Sequence, residues 1–321
     1  MERATLIVNA SAGRRKVVQT LVPALLQVLE RAGVQSNALL TTAAGEAQSL
    51  AADAAASGSD AVFACGGDGT VHEVLQGLVG TTAALGVVPL GTANVFARNL
   101  GLALDPVRAL QQQLNSEPRA ISVGEACYAT SGSEQKKFFI VMAGAGPDGA
   151  LVYRLLAGKR SRLGRSAYYG HSLRLFLTRK FPAFRVEYRS NESSEWVERR
   201  GVGVICSRVP NLGGIFRSLA MESSPTDDKL LLSIVKPPAG IGLPAWFAFS
   251  YLTLNAKNPW LEQVRVSEFR CTPLEQNHRI HAELDGEWIG HLPMSARLLP
   301  QAVSLLMPPL KREDIRHHGT V

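Results

Sequence analysis

Apolar residues in the first part of the chain alternate between short strand-like runs and helical spacing. Residues 5–8 form a β-rich run, and the apolar positions from Val18 to Ala32 then fall on one helical face. Further strand-like runs follow at residues 37–41, 61–65 and 85–88, each leading through a polar loop toward a helical pattern. Strand, loop and helix repeated in this order are typical of a parallel sheet covered by helices. Residues 1–125 are therefore predicted to form a doubly wound α/β domain.

The pattern changes after about residue 125. Short β-rich runs now follow one another across polar or Gly/Pro turns, which favours a mainly antiparallel β-sandwich over residues 126–300. The predicted strands are residues 138–143, 184–188, 202–206, 230–235, 264–271, 280–284 and 303–307. Two helical insertions are predicted near residues 150–157 and 166–179. The sequence thus indicates two domains.

Composition limits where the protein acts. The four cysteines form no CxxC pair, which favours reduced thiols in the cytoplasm over a disulfide framework. The N-terminus lacks the features of a signal peptide, and the longest apolar stretch, residues 241–254, is interrupted by Pro244. That stretch is shorter than the roughly 18 apolar residues expected of a membrane span. We predict a cytoplasmic protein whose contact with membranes is peripheral.

Positive charge is concentrated in one segment. Between Arg154 and Arg189 the chain has ten Lys or Arg and one acid, Glu187, whereas the whole chain carries a net charge of +7. Such a block favours phosphates, anionic lipid headgroups or nucleic acid. Because no nucleic-acid-binding motif accompanies it, we predict contact with an anionic membrane surface and no nucleic-acid partner. A solvated face remains the alternative.

Candidate chemistry follows the ends of the predicted parallel strands. Residues 66–70 (GGDGT) lie where a strand ends and a helix begins, the place where open α/β sheets collect ligands and where helix N–H groups meet anions. Glycines allow the backbone close to a phosphate, and Asp68 can bind magnesium or orient a triphosphate. Residues 90–94 (LGTAN) and the loop after Asn9 add two more polar, glycine-containing loops. Together they predict a nucleotide site.

These motifs also carry a family resemblance. Residues 66–78 (GGDGTVHEVLQGL) and 89–101 (PLGTANVFARNLG) resemble the catalytic domain of diacylglycerol kinases, sphingosine kinases and their bacterial lipid-kinase relatives. The first motif alone is also similar to loops of NAD kinases and phosphofructokinases, but the pair at this spacing is specific. Residues 144–148 (GAGPD), 227–230 (DDKL) and 285–287 (DGE) resemble further family signatures in the family's order.

The resemblance implies an ATP-dependent lipid kinase of phospholipid metabolism that uses ATP and Mg²⁺. It implies an α/β domain of the NAD kinase and phosphofructokinase type, ATP between the two domains, the lipid on the sandwich, and a chain end (about 301–321) that returns to the first domain. By the resemblance, Thr41, residues 66–70 and Thr92 would hold ATP. With the residues of the other loops, the predicted ATP-binding set is Asn9, Thr41, Gly66, Gly67, Asp68, Gly69, Thr70, Glu73, Gly91, Thr92 and Asn94. Asp68 is also assigned a catalytic role, and Asp228 a structural magnesium.

By the same resemblance, Asp285 or Glu287 would deprotonate the lipid hydroxyl. Phosphoryl transfer needs a carboxylate near the attacking hydroxyl, and two acids flanking a glycine after an alternating strand would project from a sheet rim. Without the resemblance, a solvated hairpin turn would be the preferred interpretation. The choice between the two acids remains open.

The sequence departs from the family pattern at three positions. Ala10 stands where proline is usual, Val95 stands where many bacterial diacylglycerol kinases have aspartate, and Lys229 stands where glycine is usual. Valine at position 95 is similar to the sphingosine kinase branch and disfavours a metal-bridging role for this position. Lys229 disfavours a metal at Asp228.

Three other functions are alternatives to the lipid kinase. Residues 144–149 match a dinucleotide fingerprint, but no acid occurs between Asp148 and Glu187, so a hydride-transfer enzyme is disfavoured. A soluble-substrate kinase of the NAD kinase type and a non-enzymatic basic membrane- or nucleic-acid-binding protein remain alternatives. The sequence does not name the lipid, and it leaves the oligomeric state open, with a homodimer as one option.

Overall fold

The computed structural model of the chain describes residues 1–9, 15–130, 132–147, 149–150, 181–192, 194–212, 223–236 and 260–308. The chain divides into two compact units. The first comprises Met1–Ile121 together with the chain from Gln301 onward, and the second is Ser122–Pro300.

The first unit is built on a parallel sheet. Its strands are β1 (Arg3–Asn9), β2 (Gln35–Thr41), β3 (Ala61–Gly66), β4 (Ala84–Pro89) and the last residues of β16 (Met294–Leu306). The strand order is β2-β1-β3-β4-β16, and every neighbouring pair is parallel. Strands β3 and β4 are buried along their whole length, as expected of a sheet covered on both faces.

Helices cover both faces of this sheet. They are α1 (Arg15–Arg31), α2 (Glu46–Ala56), α3 (Asp68–Leu78), α4 (Val95–Asn99) and α5 (Pro106–Leu114). Helices α1 and α5 contact each other, as do α2 and α3. Leu25, Leu29 and Leu110 pack against the β1 residues Leu6 and Val8 in one buried cluster. The predicted doubly wound domain is thereby confirmed.

The start of α5 shows how local sequence sets an element boundary. The side chain of Asp105 accepts a hydrogen bond of 2.9 Å from the N–H of Arg108, and Pro106 occupies the first helical position. This arrangement satisfies one of the N–H groups left open at a helix start, and proline at the first position leaves no donor unpaired there.

The second unit is an antiparallel sandwich. Its strands are most of β5 (Pro118–Thr130), β6 (Ser133–Phe139), β7 (Met142–Ala145), β8 (Phe184–Arg189), β9 (Val197–Gly201), β10 (Gly203–Ser207), β11 (Leu230–Val235), β12 (Leu261–Val266), β13 (Glu268–Pro273), β14 (His281–Leu284), β15 (Glu287–His291) and the first residues of β16. One sheet has the order β12-β11-β10-β7-β14-β15, and another contains the run β16-β13-β8-β9, with β5 beside β16 and β6. Phe139, Phe184, Phe269, Leu232 and Leu284 lie in their shared core.

The single strand predicted at residues 264–271 is wrong. The run breaks at Ser267, and β12 and β13 belong to different sheets. The N–H of Ser267 donates to the carbonyl of Arg189 at 3.0 Å, and its own carbonyl accepts the N–H of Leu298 at 2.9 Å. One residue thus redirects the chain from one sheet to the other.

The predicted strand at residues 138–143 is also divided. Strand β6 ends at Phe139 and β7 begins at Met142. Between them, the N–H groups of Ile140 and Val141 donate to the carboxylate of Asp285, so they cannot take part in a strand ladder. Strands β5, β9 and β15 have no counterpart among the predicted runs, and the predicted helical insertions lie almost entirely outside the described residues.

Within the described part of the chain, no helix is both long and apolar enough to cross a bilayer. All four cysteines are free, and the thiols of Cys65, Cys206 and Cys271 are buried. Burial raises the pKa of these three thiols, which keeps them protonated and unreactive.

Candidate active site

The ends of the parallel strands place the predicted nucleotide residues on one edge of the first unit. Asn9 and Thr41 are paired at the ends of β1 and β2, and Gly66 and Pro89 are paired at the ends of β3 and β4. Strands β1 and β3 are neighbours, with Val8 opposite Cys65. The loops after these strands therefore open on the same edge, where open α/β sheets bind ligands.

Two glycine loops cross in close contact at this edge. The N–H of Leu90 donates to the carbonyl of Gly66 at 2.8 Å. A Cβ atom at Gly91 would lie 2.6 Å from the Cα of Gly67 and 2.8 Å from Oδ1 of Asn94. Only glycine fits at position 91, and the contact brings the GGDGT and LGTAN loops together as one surface.

Asp68 and Asn94 fix the shape of this surface. Oδ1 of Asp68, at the start of α3, accepts the N–H of Phe96 at 3.1 Å and so joins the two loops. Asn94 has a left-handed backbone with φ of 46°, and its amide exchanges hydrogen bonds of 3.0 and 2.9 Å with the backbone of Gly91. Asn tolerates this conformation better than most residues because its short amide bonds locally.

Asn9 and Thr70 connect the end of β1 to the first turn of α3. Nδ2 of Asn9 donates to Oγ1 of Thr70 at 3.1 Å, and Thr70 is buried in the first turn of α3. A Cβ atom at Gly66 would lie 2.2 Å from that hydroxyl oxygen, so Thr70 requires a glycine at this position. Residues 10–14, which include the other polar positions of the first loop, lie outside the described residues.

Glu73 holds the start of α2 in place. Its Oε2 accepts the N–H of Ala47 at 3.2 Å, in the first turn of that helix. Oε2 of Glu46 accepts the N–H of Thr42 at 2.6 Å, and bonds from Thr42 and Ala43 lower the pKa of the Glu46 carboxyl. The two acids thus fix the chain that follows Thr41, which is itself buried at the end of β2.

The electrostatics of this edge favour an anion. The first N–H groups of a helix have no acceptor within the helix, and the helix dipole adds a partial positive charge. Helix α3 begins at Asp68, directly after Gly67 in extended backbone, so its first turn opens toward the crossing of the glycine loops. Thr92 is exposed on the neighbouring loop. These groups can bind the phosphates of a nucleotide.

The second unit contains the two acids of the DGE signature. Asp285 and Gly286 form the turn of the β14–β15 hairpin, with φ of 50° and 84°. Positive φ at both central residues is the backbone of a type I′ hairpin, which explains the glycine. The N–H of Gly286 donates to Oε2 of the buried Glu283 at 2.7 Å.

Asp285 is bonded to the backbone of the β6–β7 connection. Its carboxylate accepts the N–H groups of Ile140 at 3.1 Å, Val141 at 2.8 Å and Met142 at 2.9 Å, and the residue is buried. Both carboxylate oxygens are therefore used to hold the turn in place.

Glu287 lies in a different environment. Its side chain is 35 % exposed and one carboxylate oxygen lies 3.7 Å from Nζ of Lys137. Burial raises the pKa of the nearby Tyr128, and the Glu287 charge raises it further. Of the two acids, Glu287 is the one that a substrate from solvent can approach.

The structure places an arginine side chain beside Asp228, the predicted metal ligand. Asp228 is exposed, and the carbonyls on either side of it, those of Asp227 and Lys229, accept hydrogen bonds of 3.0 Å from Arg208. Hard cations bind carboxylate and carbonyl oxygens, and here a guanidinium donates to the two carbonyls that flank Asp228. No group of three or more His, Cys, Asp or Glu side chains suited to a metal is present among the described residues.

The sequence reasoning missed Arg208 and the role of Asp285. An arginine directly after the buried run of β10 is the signal that could have identified the first, since arginine is rarely buried unless it is paired. The contacts of Asp285 depend on residues more than 140 positions away, and no local pattern reports them.

Comparison with known proteins identifies similar chains. Residues 3–126 match the model of the diacylglycerol kinase catalytic domain. A diacylglycerol kinase of Bacillus subtilis (strain 168) is 27% identical over 318 residues, covering 98% of this chain and 99% of the relative. A diacylglycerol kinase of Staphylococcus saprophyticus is 25% identical over 317 residues, covering 98% of each chain.

Solved structures share the fold. A putative diacylglycerol kinase from Bacillus anthracis aligns with a TM-score of 0.74 at 23% identity, over 96% of each chain. Yeast NADH kinase in complex with NADH aligns with a TM-score of 0.55 at 10% identity, over 98% of this chain and 86% of that one.

Proposed function

We propose that this chain, whose residues 3–126 match the diacylglycerol kinase catalytic domain, is a lipid kinase that transfers the γ-phosphate of ATP to the hydroxyl group of a diacylglycerol-like lipid at a membrane surface. The observation that carries the proposal is the crossing of the two glycine loops, where a Cβ atom at Gly91 would lie 2.6 Å from the Cα of Gly67. Backbone without side chains at a helix start suits a triphosphate.

The nucleotide would use the loops in distinct ways. The first turn of α3 would bind phosphate oxygens, and Thr92 and Asn94 would contact the phosphates or ribose. Mg²⁺ would neutralise charge on the transferred phosphoryl group, and Asp68 supplies the hard oxygen ligand that this ion prefers. Because Asp68 also accepts the N–H of Phe96, its carboxylate is held in one orientation.

We assign the general base to Glu287 and the support of the turn to Asp285. A base must be reachable by the substrate hydroxyl, and the Glu287 side chain is 35 % exposed. The carboxylate of Asp285 accepts three backbone N–H groups and would have to give up that support to accept a proton. Its contribution is to hold the first residue of β15 in place.

The proposal that the protein acts at a membrane surface rests on the basic segment between Arg154 and Arg189. Most of this segment lies outside the described residues. Each Lys or Arg near an anionic leaflet contributes about 1 kcal/mol. We expect that neutralising four of these charges weakens binding to vesicles containing anionic lipid, whereas activity on lipid dispersed in detergent changes much less. Vesicle co-sedimentation at low and high salt measures the effect. The four replacements are Lys159, Arg160, Arg162 and Arg165 to Gln.

The control removes the same charge from elsewhere on the surface. Four exposed arginines distant in sequence from the segment are suitable, namely Arg3, Arg31, Arg108 and Arg119. If both quadruple variants lose vesicle binding equally, only net charge matters, and if neither does, the segment is a solvated face.

A soluble-substrate kinase is the second candidate, favoured by the fold shared with yeast NADH kinase. Incubation with labelled ATP and a panel of acceptors separates the two. The panel contains diacylglycerol, a sphingoid base, phosphatidylglycerol, a prenyl alcohol and NAD. We expect label in a lipid and none in NAD, and label in NAD alone would favour the second candidate.

A further inference from the structure

An arginine is buried where β10 ends in the second unit. Arg208 is 1% exposed, and its guanidinium donates to four backbone carbonyls. Nη1 donates to Asp227 and Lys229 at 3.0 Å each, and Nη2 donates to Ser122 at 2.9 Å and Pro225 at 2.7 Å. The side chain thus closes the loop of residues 223–229 around itself.

This arrangement is that of a cation inside a cage of oxygen atoms. A buried charge is costly unless hydrogen bonds replace the water it has lost, and burial lowers the pKa of Arg208. The charges of Asp227 and Asp228 act in the opposite direction and favour the guanidinium. The same carbonyls and carboxylates are the oxygen ligands that a divalent ion would use.

Two further cations of the protein engage this loop. The carboxylate of Asp227 accepts the N–H of Ser224 at 2.8 Å and pairs with Arg265 at 3.1 Å. The ammonium of Lys229, at the position where the family usually has glycine, donates to the carbonyl of Ser190 and to Oδ1 of Asn191. Arg208, Arg265 and Lys229 thus all hold this loop in place.

The loop is connected to the turn that holds the proposed base. The N–H of Arg208 donates to the carbonyl of Val141 at 2.9 Å, and the N–H of Val141 donates to Oδ1 of Asp285 at 2.8 Å. Strand β7, which begins at Met142, lies between β10 and β14. A displacement of Arg208 would therefore be transmitted to the DGE turn through Val141.

We propose that the guanidinium of Arg208 is the internal cation of the 223–229 loop, in place of a divalent ion at Asp228, and that Arg208 is thereby a positioning residue for the Asp285–Gly286–Glu287 turn. The first part is independent of the enzyme's activity. The second part rests on the proposed function.

Thermal unfolding of the full chain without nucleotide tests the first part. The midpoint Tm is measured after treatment with EDTA and again with added MgCl₂, for the wild type and for Asp228→Asn. We expect the two proteins to respond identically, because no ion binds at Asp228. A magnesium-dependent rise in the Tm of the wild type that is absent from Asp228→Asn would overturn the proposal, since an ion bound only to the native state raises Tm.

Variants of Arg208 test the second part. Arg208→Met should lower Tm by about 5–10 °C, because it leaves several buried carbonyls without a donor. At a temperature well below its Tm, kcat should fall while KM for ATP stays near the wild-type value. Arg208→Lys retains the charge and should recover part of both losses, and it serves as the test if the Met variant does not fold.

The matched control is Arg265→Met, which removes a partly exposed guanidinium that belongs to β12 and pairs with Asp227 of the same loop. We expect little change in Tm or kcat for this variant. Wild-type Tm and kcat in Arg208→Met would contradict the proposal. If no acceptor is phosphorylated at all, the proposed function fails, but the response of Tm to magnesium still decides whether Arg208 replaces the ion.

Discussion

Replacement of Glu287 by Gln should lower kcat by about 10²–10⁴, the usual contribution of a general base, while KM for ATP changes little. Gln has the same shape and cannot accept the hydroxyl proton. Because Glu287 is partly exposed and its ion pair with Lys137 spans 3.7 Å, the variant should unfold at nearly the wild-type temperature. Steady-state kinetics on detergent-dispersed diacylglycerol, with Tm measured on the same sample, gives both values.

Asp285→Asn is the matched comparison and should show the opposite pattern. An amide oxygen can accept two of the three backbone N–H groups, but its NH₂ would face the third. We expect a loss of about 1–3 kcal/mol in the free energy of unfolding. The left-handed backbone at this position, with φ of 50°, suits Asn as well as Asp, so the loss reports the hydrogen bonds. A stable Asp285→Asn that lacks activity, beside a fully active Glu287→Gln, would reverse the assignment.

Asp68→Asn should reduce phosphoryl transfer by roughly 10³-fold or more, the scale on which charged groups act on a transferred phosphoryl. The substitution removes the charge without changing the size of the side chain. The amide oxygen of Asn can still accept the N–H of Phe96, so the link between the two glycine loops should persist. Transfer from labelled ATP, together with the circular dichroism spectrum and Tm, measures activity and fold separately.

Asp53→Asn is the control for Asp68→Asn. It makes the same chemical change at an exposed position of α2, away from the strand ends. We expect its activity and Tm to equal those of the wild type. A folded Asp68→Asn protein with wild-type turnover would remove Asp68 from the catalytic group.

Much of the first unit could be predicted because its signals are local. The buried helix positions Val71, Val74, Leu75 and Leu78 follow helical spacing, and the GGDGT loop after β3 is glycine-rich because backbones and side chains meet there at short distance. The Asp-Pro pair before α5 is another such signal. Each feature is decided within a few residues of the chain.

The strands of the second unit are harder to predict, because hydrogen bonds to residues distant in sequence decide where they end. Ser267 ends one strand and precedes another because Arg189 and Leu298 bond its backbone, and a continuous β-rich run gives no sign of this. The break after Phe139 similarly depends on Asp285. The same long-range bond changes the interpretation of the DGE signature, since one of its two acids is a buried structural carboxylate and the other is a partly exposed one.

The most direct test of the account follows the fate of each phosphate of ATP. Wild-type protein is incubated with diacylglycerol in mixed micelles and with ATP labelled at either the γ- or the α-phosphate, and the extracted lipid is separated by chromatography. We predict that the γ-label appears in a product that migrates as phosphatidic acid, that the α-label does not, and that Glu287→Gln slows its appearance. The central claim would be contradicted if neither diacylglycerol nor any other lipid acceptor were labelled and the label were transferred to NAD instead.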